Sequence, residues 1–377
     1  MNGRLAGHAL LAASLALACS PPPRASSPAP APTTGDLAAL LDSAVAAGAA
    51  PGAVIGLSMH GKRWYYGTGR LGLDDATRPD EHTVYDLASL TKVVALTSAA
   101  LHEVEAGALD LDAPVQRYVP EFAGPGKERV TVRHLLTHSS GLPAWRELFR
   151  EAPTRDSALA IVFATPLDTL PGTGEVYSDL GAILAGVVVE RVSGTRLSAL
   201  ANQQVFRPLG MRDTRYAPPE SWQARIAPTE NDPWRGRILR GEVHDENAAR
   251  LEGITGHAGL FGTAADLVRY GEWWLEAWAT DSVAHAFASR QELVPGSSRA
   301  IGWDTPSIRS SAGTRLSNWS FGHTGFTGTS IWIDPSRQLV VVLLTNRVHP
   351  TRENTRNILL RRAVADAAAE LADHAAR

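Results

Sequence analysis

Helical and strand patterns at the two ends of the chain mirror each other, and this arrangement constrains the fold more than any other feature. At the amino end a helical pattern precedes two alternating segments, and at the carboxyl end two such segments precede a long helical pattern. The order predicts an antiparallel sheet that both terminal helices flank. The predicted helices are 36–47 and 351 onward, and the predicted strands are 53–59, 63–68, 330–333 and 339–344.

The middle of the chain carries helical patterns that Pro and Gly residues interrupt, without a convincing pair of strands. We therefore predict an all-helical domain at 86–254, inserted into an α/β domain formed by 36–85 and 255–377. The predicted fold class is α+β. At 377 residues the chain exceeds the usual size of a single core, so one large domain or two fused domains are expected.

Charge and composition exclude several classes of protein. The formal net charge is −3, too close to neutral to suggest nucleic-acid binding, and charged residues make up 20% of the chain, as in ordinary soluble enzymes. No run of ~20 apolar residues is present, so we predict no transmembrane helix. Cys19 is the only cysteine, so no disulfide can form within the chain. We expect a monomer without a cofactor, metal ion or nucleic-acid partner.

Residues 1–18 have the pattern of a secretory signal peptide. Arg4 supplies a positive charge, an apolar stretch follows, and Ala16-Leu17-Ala18 is a small-x-small cleavage site. Cys19 comes next, so we predict a lipid anchor on Cys19, with ordinary cleavage before it as the alternative. Residues 19–35 are rich in Pro, Ala and Ser and are predicted to form an extended tether. We therefore expect an exported protein of the periplasm or cell envelope, which meets the membrane only through a lipid on Cys19.

Ser89 and Lys92 are the most informative chemical feature of the sequence. They stand three residues apart at the start of an apolar run with helical spacing, so both side chains lie on one helix face. A serine beside an amine, in a first turn whose free N–H groups favour negative charge, suits an activated nucleophile. These residues alone give weak support, since a capping serine with an exposed lysine has the same spacing.

Two further segments make catalysis the stronger interpretation. Tyr177-Ser178-Asp179 precedes an apolar helix, and His323-Thr324-Gly325 begins a strand. With Ser89-x-x-Lys92, and with 134–143 and 259–267, their order resembles the serine β-lactamase and penicillin-binding protein superfamily. The resemblance covers about 37–365. It is to the branch with a tyrosine in the second motif, which includes class C β-lactamases, D-alanyl-D-alanine peptidases and β-lactamase-like esterases.

The resemblance implies a role for each motif residue, in a cleft between an α/β domain and an inserted helical domain. Ser89 would be the nucleophile that forms an acyl-enzyme, Lys92 would ease its deprotonation, and Tyr177 would be the general base. A Lys92 cation near Tyr177 would favour the phenolate. The oxyanion hole would consist of the backbone N–H groups of Ser89 and Phe326. Gly325 would let the substrate approach the strand edge closely.

His323 stands where the better-known members of the family have lysine. The lysine form presents a permanent cation to the substrate carboxylate, whereas we expect the pKa of His323 to lie near the ordinary histidine value. Protonated His323 would then help to bind anionic substrates, and this help would be lost as pH rises. The change weakens the case for an efficient β-lactamase. Asn346 and Arg347 follow the next strand as candidate substrate-binding residues, and Arg347 either restores a cation or faces solvent.

Asp179 and Trp145 are further candidates for substrate binding. Asp179 stands where many relatives have asparagine. A carboxylate accepts hydrogen bonds but cannot donate them, so we expect Asp179 to hold Lys92 rather than the substrate amide. Trp145 falls near the place where class C enzymes have a glutamine facing the substrate. It would offer a stacking surface there, with a core tryptophan as the alternative.

The segment 233–247 is unusually polar and basic. It resembles a subfamily that contains histidine-type penicillin-binding proteins and muropeptide-recycling amidases. His244, Asp245 and Asn247 either line the cleft or form a hydrogen-bonded loop. A metal site made by His244, Asp245 and His257 would match no standard ligand spacing, so none is predicted.

The leading functional prediction is a serine hydrolase that acts on cell-wall peptide, as a D-alanyl-D-alanine carboxypeptidase or a related amidase. A promiscuous carboxylesterase acting on small-molecule esters and a weak β-lactamase use the same residues and stay open, since function depends on the site rather than on the fold. A non-catalytic penicillin-binding sensor or scaffold is the alternative from another class. The presence of Ser89, Lys92 and Tyr177 together argues against it.

Overall fold

The structure is a computed structural model that describes residues 32–375. The predicted signal peptide, Cys19 and most of the predicted tether lie outside these residues. The strands are β1 (Gly52–Met59), β2 (Lys62–Gly69), β3 (Tyr85–Asp86), β4 (Arg215–Tyr216), β5 (Asn231–Asp232), β6 (Arg237–Ile238), β7 (Leu260–Gly262), β8 (Phe321–Thr324), β9 (Ser330–Asp334) and β10 (Leu339–Thr345). The α-helices are α1 (Thr34–Ala46), α2 (Ser98–Glu105), α3 (Val132–Leu136), α4 (Leu148–Glu151), α5 (Arg155–Ala164), α6 (Asp179–Ser193), α7 (Leu197–Ala201), α8 (Glu246–Arg250), α9 (Ala264–Thr280), α10 (Ser282–Ala288) and α11 (Asn357–Ala375). Of the helices in this described part, none is long and apolar enough to cross a membrane.

Five strands form one antiparallel sheet in the order β2-β1-β10-β9-β8. The two predicted hairpins, β1–β2 and β9–β10, are both present. β1 also pairs with β10, with Ile55 opposite Leu343, so segments from the two ends of the chain meet in the middle of the sheet. β8 adds an edge strand that carries His323. The predicted antiparallel sheet and the α+β fold class are confirmed.

β10 is buried on both faces, and its alternate side chains serve two different cores. Leu339 and Val341 pack in the core that contains α1 and α11, whereas Val340 and Val342 join the core that contains α9 and the helices of the middle segment. This burial explains why the strand is an unbroken apolar run rather than an alternating one. Each such side chain contributes ~1.5–3 kcal/mol through burial. The terminal helices flank the sheet, as predicted.

α9 packs very close to the sheet because of one glycine. A Cβ atom on Gly271 would lie 2.4 Å from Cγ1 of Val340, which is far inside van der Waals contact. Only glycine therefore allows α9 this approach. The close packing fixes the segment just before α9, which includes β7 and supports the residues around Ser89.

α1 begins two residues earlier than predicted. Thr33 caps the helix: its Oγ1 accepts the Asp36 N–H at 3.3 Å, and the Asp36 carboxylate accepts the Thr33 N–H at 2.7 Å. This reciprocal cap satisfies two backbone donors that the helix leaves free. The predicted tether therefore ends at Thr33, since Thr34 and Gly35 belong to the helix.

α11 begins at Asn357, six residues later than predicted. Residues 351–356 are held in a loop instead, because Arg347 donates to the carbonyl oxygens of Arg352 and Asn354 at 2.9 and 2.6 Å. These carbonyls therefore serve a buried guanidinium rather than a helix. Sequence periodicity could not reveal a contact of this kind.

The middle segment 86–254 is mainly helical, but the prediction that it is all-helical is wrong. It contains the two-residue strands β4, β5 and β6. β7 pairs with both β3 and β4, and β5 pairs with β6. Two-residue strands are too short to give an alternating pattern, so the sequence did not reveal them. The division into domains at 86 and 254 stays a prediction.

Candidate active site

Ser89 lies on a strained turn directly after β3. The preceding residue, Ala88, has a φ of 47°, a left-handed conformation that costs a non-glycine residue about 1–2 kcal/mol. Asp86 holds this turn, because its Oδ1 accepts the Ala88 N–H at 2.8 Å. Ser89 follows in a 3-10 turn at Ala88–Leu90, with its side chain half-buried. The strained turn therefore presents a serine at the start of a helical segment.

The helical segment after Ser89 is not one continuous α-helix. A π-helix at Lys92–Thr97 separates the 3-10 turn from α2. Two hydroxyls stabilise this winding by bonding carbonyls five residues back: Thr97 Oγ1 donates to Lys92 at 2.7 Å, and Ser98 Oγ donates to Val93 at 3.2 Å. Short π segments often occur at functional sites. In this segment the irregular winding includes the turns that carry Ser89 and Lys92, and a second π-helix lies at Asn202–Phe206.

The ammonium group of Lys92 connects three groups of the site. Its Nζ lies 3.0 Å from Ser89 Oγ, 2.7 Å from Asp179 Oδ1 and 3.2 Å from the carbonyl oxygen of His257. All three ammonium hydrogens thus have acceptors, which a side chain only 3% exposed requires. The structure brings the two residues of the first motif into contact and pairs Lys92 with Asp179.

Lys92 stays protonated at neutral pH despite its burial. Burial alone lowers the pKa of Lys92, but Asp179 and Tyr177 together outweigh burial and raise this pKa above the ordinary lysine value. A protonated amine cannot accept the proton of Ser89. Lys92 can therefore stabilise negative charge, and another group must accept the proton.

Tyr177 lies close to two cations. The centroid of its ring is 4.8 Å from Lys92 Nζ and 5.4 Å from the guanidinium carbon of Arg299. The imidazole rings of His138 and His323 lie 4.4 and 5.9 Å from the same ring. Two positive charges therefore lie close to the ring of Tyr177. This environment suits a tyrosine that accepts a proton during catalysis.

Ser178 fixes the position of Tyr177. Its Oγ accepts the Gly181 N–H at 3.0 Å, which caps α6, and donates to the Pro143 carbonyl at 2.6 Å. Its backbone N–H donates to Nδ1 of His138 at 3.1 Å. The loop that carries Tyr177 is therefore attached both to α6 and to the segment 134–143.

His323 lies in β8 and presents an acceptor nitrogen to the site. Its Nδ1 is 2.8 Å from the Thr324 carbonyl oxygen, so Nδ1 carries the proton of the neutral ring. Its Nε2 is then an acceptor, and it is buried without a hydrogen-bond partner among residues 32–375. Buried polar atoms are usually paired. Nε2 can therefore accept a hydrogen bond only if a donor moves towards it.

The expectation that His323 titrates near the ordinary histidine value is wrong. Burial, followed by the charges of Lys92 and Arg299, lowers the pKa of His323 well below that value. His323 is therefore neutral around pH 7 and does not replace the lysine cation of better-known relatives. The sequence could not reveal this, because the burial and the nearby charges arise from distant segments.

Arg299 supplies a cation that sequence reasoning missed. Its Nε donates to Glu175 Oε1 at 2.9 Å, and Ser297 Oγ donates to Glu175 Oε2 at 2.6 Å. Burial raises the pKa of Glu175, but the hydrogen bonds from Ser297 and Arg299 lower it overall, so the pair is ionic. The guanidinium is therefore held in place beside Tyr177. Arg299 lies in an irregular segment, and no motif marks it.

The loop after His323 packs against the backbone that precedes Ser89. Thr327 Oγ1 donates to the Asp86 carbonyl at 2.7 Å, and Thr329 Oγ1 donates to the Leu87 carbonyl at 3.0 Å. A Cβ atom on Gly325 would lie 2.4 Å from the Leu87 oxygen, so this approach requires glycine. Gly325 thus allows the third motif to pack directly against the backbone before the first motif.

This packing brings the segment with Phe326 against the turn with Ser89. Within residues 32–375, neither the Ser89 N–H nor the Phe326 N–H donates to a protein acceptor. Arg361 of α11 supports the loop by donating to the carbonyls of Gly325 and Thr329. Burial, with the charge of Arg347, lowers the pKa of Arg361 to about 9, so Arg361 stays charged at neutral pH. The oxyanion hole at Ser89 and Phe326 stays a prediction.

Asn346 Nδ2 and Arg347 Nη1 each donate to two backbone carbonyls. Asn346 Nδ2 donates to the carbonyls of Leu71 and Pro228 at 2.8 and 3.0 Å. Arg347 is only 8% exposed, and its guanidinium carbon lies 4.6 Å from the ring centroid of Phe326. The alternative that Arg347 faces solvent is therefore wrong. Burial lowers the pKa of this arginine.

His244 connects the strained turn to the Phe326 ring. Its backbone N–H donates to Asp86 Oδ2 at 2.6 Å, and its ring stacks on that of Phe326 with centroids 5.7 Å apart. Its Nε2 lies 2.9 Å from Oε2 of the buried Glu230. His244 thus positions two parts of the site through packing and hydrogen bonds.

Asp245 and Asn247 also have hydrogen-bonding roles. Asp245 Oδ1 accepts the Ala248 N–H at 2.7 Å and lies 2.9 Å from His257 Nε2. Burial raises the pKa of Asp245, but His257 and the Ala248 N–H outweigh it and lower the pKa. Asn247 Oδ1 accepts the Phe149 N–H at 3.0 Å. Across residues 32–375, no three His, Cys, Asp or Glu side chains are arranged to hold a metal ion.

Trp145 lies at the surface beside the second motif. Its side chain is 44% exposed, so the alternative of a core tryptophan is wrong. The carbonyl of the preceding residue, Ala144, accepts the Asp179 N–H at 2.8 Å. The backbone that carries Trp145 is therefore joined to the residue that holds Lys92.

Comparison with known proteins identifies the family. Residues 37–366, most of the chain, match the β-lactamase family model. The chain belongs to the β-lactamase family. The N-acetylmuramyl-L-alanine amidase of Bacillus subtilis (strain 168) is 31% identical over 82% of this chain and 80% of that protein. A putative D-alanyl-D-alanine carboxypeptidase of Escherichia coli (strain K12) is 30% identical over 74% of this chain and 73% of that protein.

The β-lactamase family membership confirms the predicted superfamily, and with it the predicted class of serine hydrolase. A solved structure of EstCE1, a hydrolase with promiscuous acyltransferase activity, superposes with a TM-score of 0.71. Its sequence is 21% identical, with 88% of this chain and 98% of that chain covered. This likeness shows the fold, and it agrees with the α+β fold class.

Two further residues of this β-lactamase-family site escaped sequence reasoning. Asp86 joins the turn before Ser89 to His244 through both carboxylate oxygens. His138 has a φ of 55° and accepts the Ser178 N–H, and burial lowers its pKa well below the ordinary histidine value. His138 lies in the segment 134–143, whose resemblance to the family could have indicated that His138 belongs to the site. Nothing in the sequence around Asp86 gives a comparable signal.

Proposed function

We propose that this β-lactamase-family protein hydrolyses amide bonds of cell-wall peptides, as a D-alanyl-D-alanine carboxypeptidase or a related amidase. The observation that carries the proposal is the 3.0 Å contact between Lys92 Nζ and Ser89 Oγ, beside Tyr177. The two relatives described above are named for such activities. The chain covers more than two thirds of each relative, which supports carrying the activity over.

Acylation begins when Ser89 Oγ attacks the carbonyl carbon of the scissile amide. The serine proton passes to the phenolate oxygen of Tyr177 as the new C–O bond forms. The carbonyl electron pair moves to oxygen, and the backbone N–H groups of Ser89 and Phe326 donate hydrogen bonds to this oxyanion. The C–N bond then breaks, Tyr177 gives the proton to the leaving amine, and an ester of Ser89 remains.

Deacylation repeats these steps with water as the nucleophile. Tyr177 accepts a proton from the water as its oxygen attacks the ester carbonyl carbon. When the bond to Ser89 Oγ breaks, this proton passes to the serine, and a carboxylic acid is released. Lys92, kept protonated by Asp179, stabilises the charge that passes between these groups.

Arg299 is the residue that we propose for recognition of a substrate carboxylate. His323 is neutral, and Nη1 of Arg347 donates to two backbone carbonyls. Arg299 lies beside Tyr177, and only its Nε is used by Glu175. Its terminal N–H groups can form a charge-assisted pair with a carboxylate, as guanidinium groups commonly do.

A promiscuous carboxylesterase is the second candidate. The neutrality of His323 favours it, because an uncharged acyl ester needs no cation in that position. Glu175 also offsets part of the charge of Arg299. A weak β-lactamase ranks lower, since its substrates carry the carboxylate that the lysine form of the third motif would bind.

We propose further that the protein is exported to the periplasm or cell envelope and anchored by a lipid on Cys19, as a monomer. An enzyme that acts on cell-wall peptide must reach the cell wall, and the relatives' names support this location. The position of the single cysteine directly after a predicted cleavage site supports the anchor.

A panel of four substrates separates the candidates. The mature protein and its Ser89→Ala variant would be incubated with a peptide ending in D-Ala-D-Ala, a muramyl-peptide, nitrocefin and p-nitrophenyl acetate. We expect mass spectrometry to show cleavage of an amide in one of the first two, and none with the variant. Cleavage of the ester alone would overturn the cell-wall proposal in favour of the esterase.

A further inference from the structure

Two exposed tryptophans and a buried phenylalanine form a row of three aromatic rings. Phe149 is buried, and its ring centroid lies 6.3 Å from that of Trp145 and 5.1 Å from that of Trp234. Trp145 and Trp234 are 44% and 38% exposed. Large apolar rings are rarely left in water together without a binding role. We call Trp145, Phe149 and Trp234 the aromatic row.

The aromatic row is held rigidly from below. Asn247 binds the backbone between Trp145 and Phe149. Its side chain accepts the Phe149 N–H at 3.0 Å and donates to the Arg146 carbonyl at 2.8 Å. Arg250 donates to the Phe149 carbonyl at 3.0 Å, and its guanidinium carbon lies 5.5 Å from the Trp234 ring. A surface whose rings are already fixed loses little entropy when it binds a ligand.

Each end of the aromatic row is joined to a different part of the catalytic site. At one end, the backbone before Trp145 accepts the N–H of Asp179, the partner of Lys92. At the other end, Arg235 follows Trp234 and donates to the His244 carbonyl at 2.7 Å, and the His244 ring stacks on Phe326. The backbone that carries the row is therefore joined both to the segment with Asp179 and to the segment with Phe326.

We propose that the aromatic row is a saccharide subsite that binds a pyranose ring of a muropeptide. The C–H face of a pyranose carries partial positive charge, and the face of an indole carries partial negative charge, so the two stack favourably. Guanidinium groups contact the row, with the guanidinium carbon of Arg150 5.2 Å from the Phe149 ring and those of Arg235 and Arg250 5.4 and 5.5 Å from the Trp234 ring. These donors suit a hydroxyl-bearing ligand better than a long acyl chain. This inference rests on the proposed function, since it names the substrate class as glycan-bearing rather than free peptide.

A pair of substrates that differ only in the sugar tests the subsite. The wild type, Trp145→Ala and Trp234→Ala would be assayed with a muramyl-peptide and with the same peptide carrying N-acetyl in place of the sugar. We expect the wild type to prefer the muramyl-peptide, and each variant to lose about tenfold of that kcat/KM ratio, equal to about 1.4 kcal/mol. Trp234→Phe, which keeps an aromatic face, should retain most of the preference.

Trp319 provides the matched control. It is 58% exposed and packs beside Trp278 and His285, apart from the aromatic row. Trp319→Ala should leave the ratio unchanged. An equal loss in Trp319→Ala, or no change of the ratio in both row variants, would overturn the subsite.

A binding measurement separates failure of this inference from failure of the proposed function. Ser89→Ala would be titrated with muramyl dipeptide by calorimetry, alone and combined with Trp234→Ala. Binding that Trp234→Ala weakens about tenfold would support the subsite even if no cell-wall amide were cleaved. Absence of binding in Ser89→Ala would overturn the subsite, even if free peptides were hydrolysed. If Trp145→Ala and Trp234→Ala lost selectivity for long-chain esters but kept the preference for the muramyl-peptide, the row would bind an acyl chain. That result would overturn the saccharide assignment.

Discussion

Asp179 holds Lys92 through an ion pair in which Asp179 Oδ1 lies 2.7 Å from Lys92 Nζ, and the Lys92 side chain is buried. The same Nζ contacts Ser89 Oγ at 3.0 Å. One carboxylate therefore fixes both the position and the charge of the amine beside the proposed nucleophile. Because this ion pair keeps Lys92 protonated, Lys92 cannot accept the Ser89 proton, and we assign proton acceptance to Tyr177.

Replacement of Asp179 by asparagine should destabilise the fold and slow acylation. The buried ammonium would lose its counter-charge, at a cost of about 2 kcal/mol, below the ~3–5 kcal/mol of fully buried pairs because Asp179 is 21% exposed. Because the pKa of Lys92 is raised in the folded protein, the ion pair contributes to the free energy of unfolding. This contribution is complete below the unfolded-state pKa of lysine, near ~10.4, and is lost as pH rises through the folded-state pKa. Urea denaturation at pH 7 measures the loss.

The matched control is Asp112→Asn, which removes the carboxylate of an ion pair with Arg133 whose aspartate is 69% exposed. Exposed pairs contribute little, so this variant should change the free energy of unfolding by less than about 1 kcal/mol. Equal effects of the two variants would show that Asp179 has no special relation to Lys92.

The buried histidines His138 and His323 should make the protein less stable in mild acid. Their lowered pKa values mean that the unfolded chain binds protons that the folded protein does not. Stability is therefore complete above the unfolded-state pKa near ~6.5 and is lost as pH falls below it, by up to about 1.4 kcal/mol per pH unit for each histidine. His323→Gln should reduce this slope in denaturation measured from about pH 7.5 to about pH 5. Exposed His82→Gln should leave it unchanged, and an unaltered slope in His323→Gln would refute the neutral state of His323.

Arg299 should distinguish anionic from neutral substrates. Arg299→Gln removes the cation beside Tyr177, so KM for a peptide with a free carboxylate should rise about tenfold, the loss of one charge-assisted hydrogen bond. KM for the neutral p-nitrophenyl acetate should rise far less, because this ester has no carboxylate. Exposed Arg117→Gln serves as the control. Equal changes of KM for the two substrates would remove Arg299 from carboxylate recognition.

Cys19 should determine where the protein is found. If Cys19 carries a lipid, the wild type should sediment with membranes, and Cys19→Ala should appear as a soluble exported protein. Membrane fractionation with mass spectrometry of the amino terminus measures both. A wild-type protein that is entirely soluble, with a free thiol at its mature amino terminus, would exclude the anchor.

The fold and the motif residues could be predicted because they depend on local signals. The two hairpins followed from alternating runs, and Ser89 and Lys92 from a spacing that a helical turn converts into contact. Three kinds of feature could not be predicted. The late start of α11 depends on Arg347, the two-residue strands leave no pattern, and the strained turn at Ala88 depends on Asp86.

The charge states within the site were also beyond the sequence. A histidine in the third motif looked like a residue that titrates near neutral pH, and burial beside Lys92 and Arg299 makes it neutral. The cation that faces Tyr177 comes from Arg299, about 120 residues further along the chain, in a segment without a motif. Such contacts between distant segments exist only in the folded chain.

The most direct test of the account is the site of covalent modification. The wild type and Ser89→Ala would be treated with a fluorophosphonate probe and examined by intact-mass spectrometry and peptide mapping. The Ser89 hydroxyl caps no helix, and its hydrogen bond is to Lys92 Nζ, so circular dichroism should show the variant folded. We expect one adduct per wild-type chain, on Ser89, and none on the variant. An adduct that persists in folded Ser89→Ala, or that maps to another residue, would contradict the account.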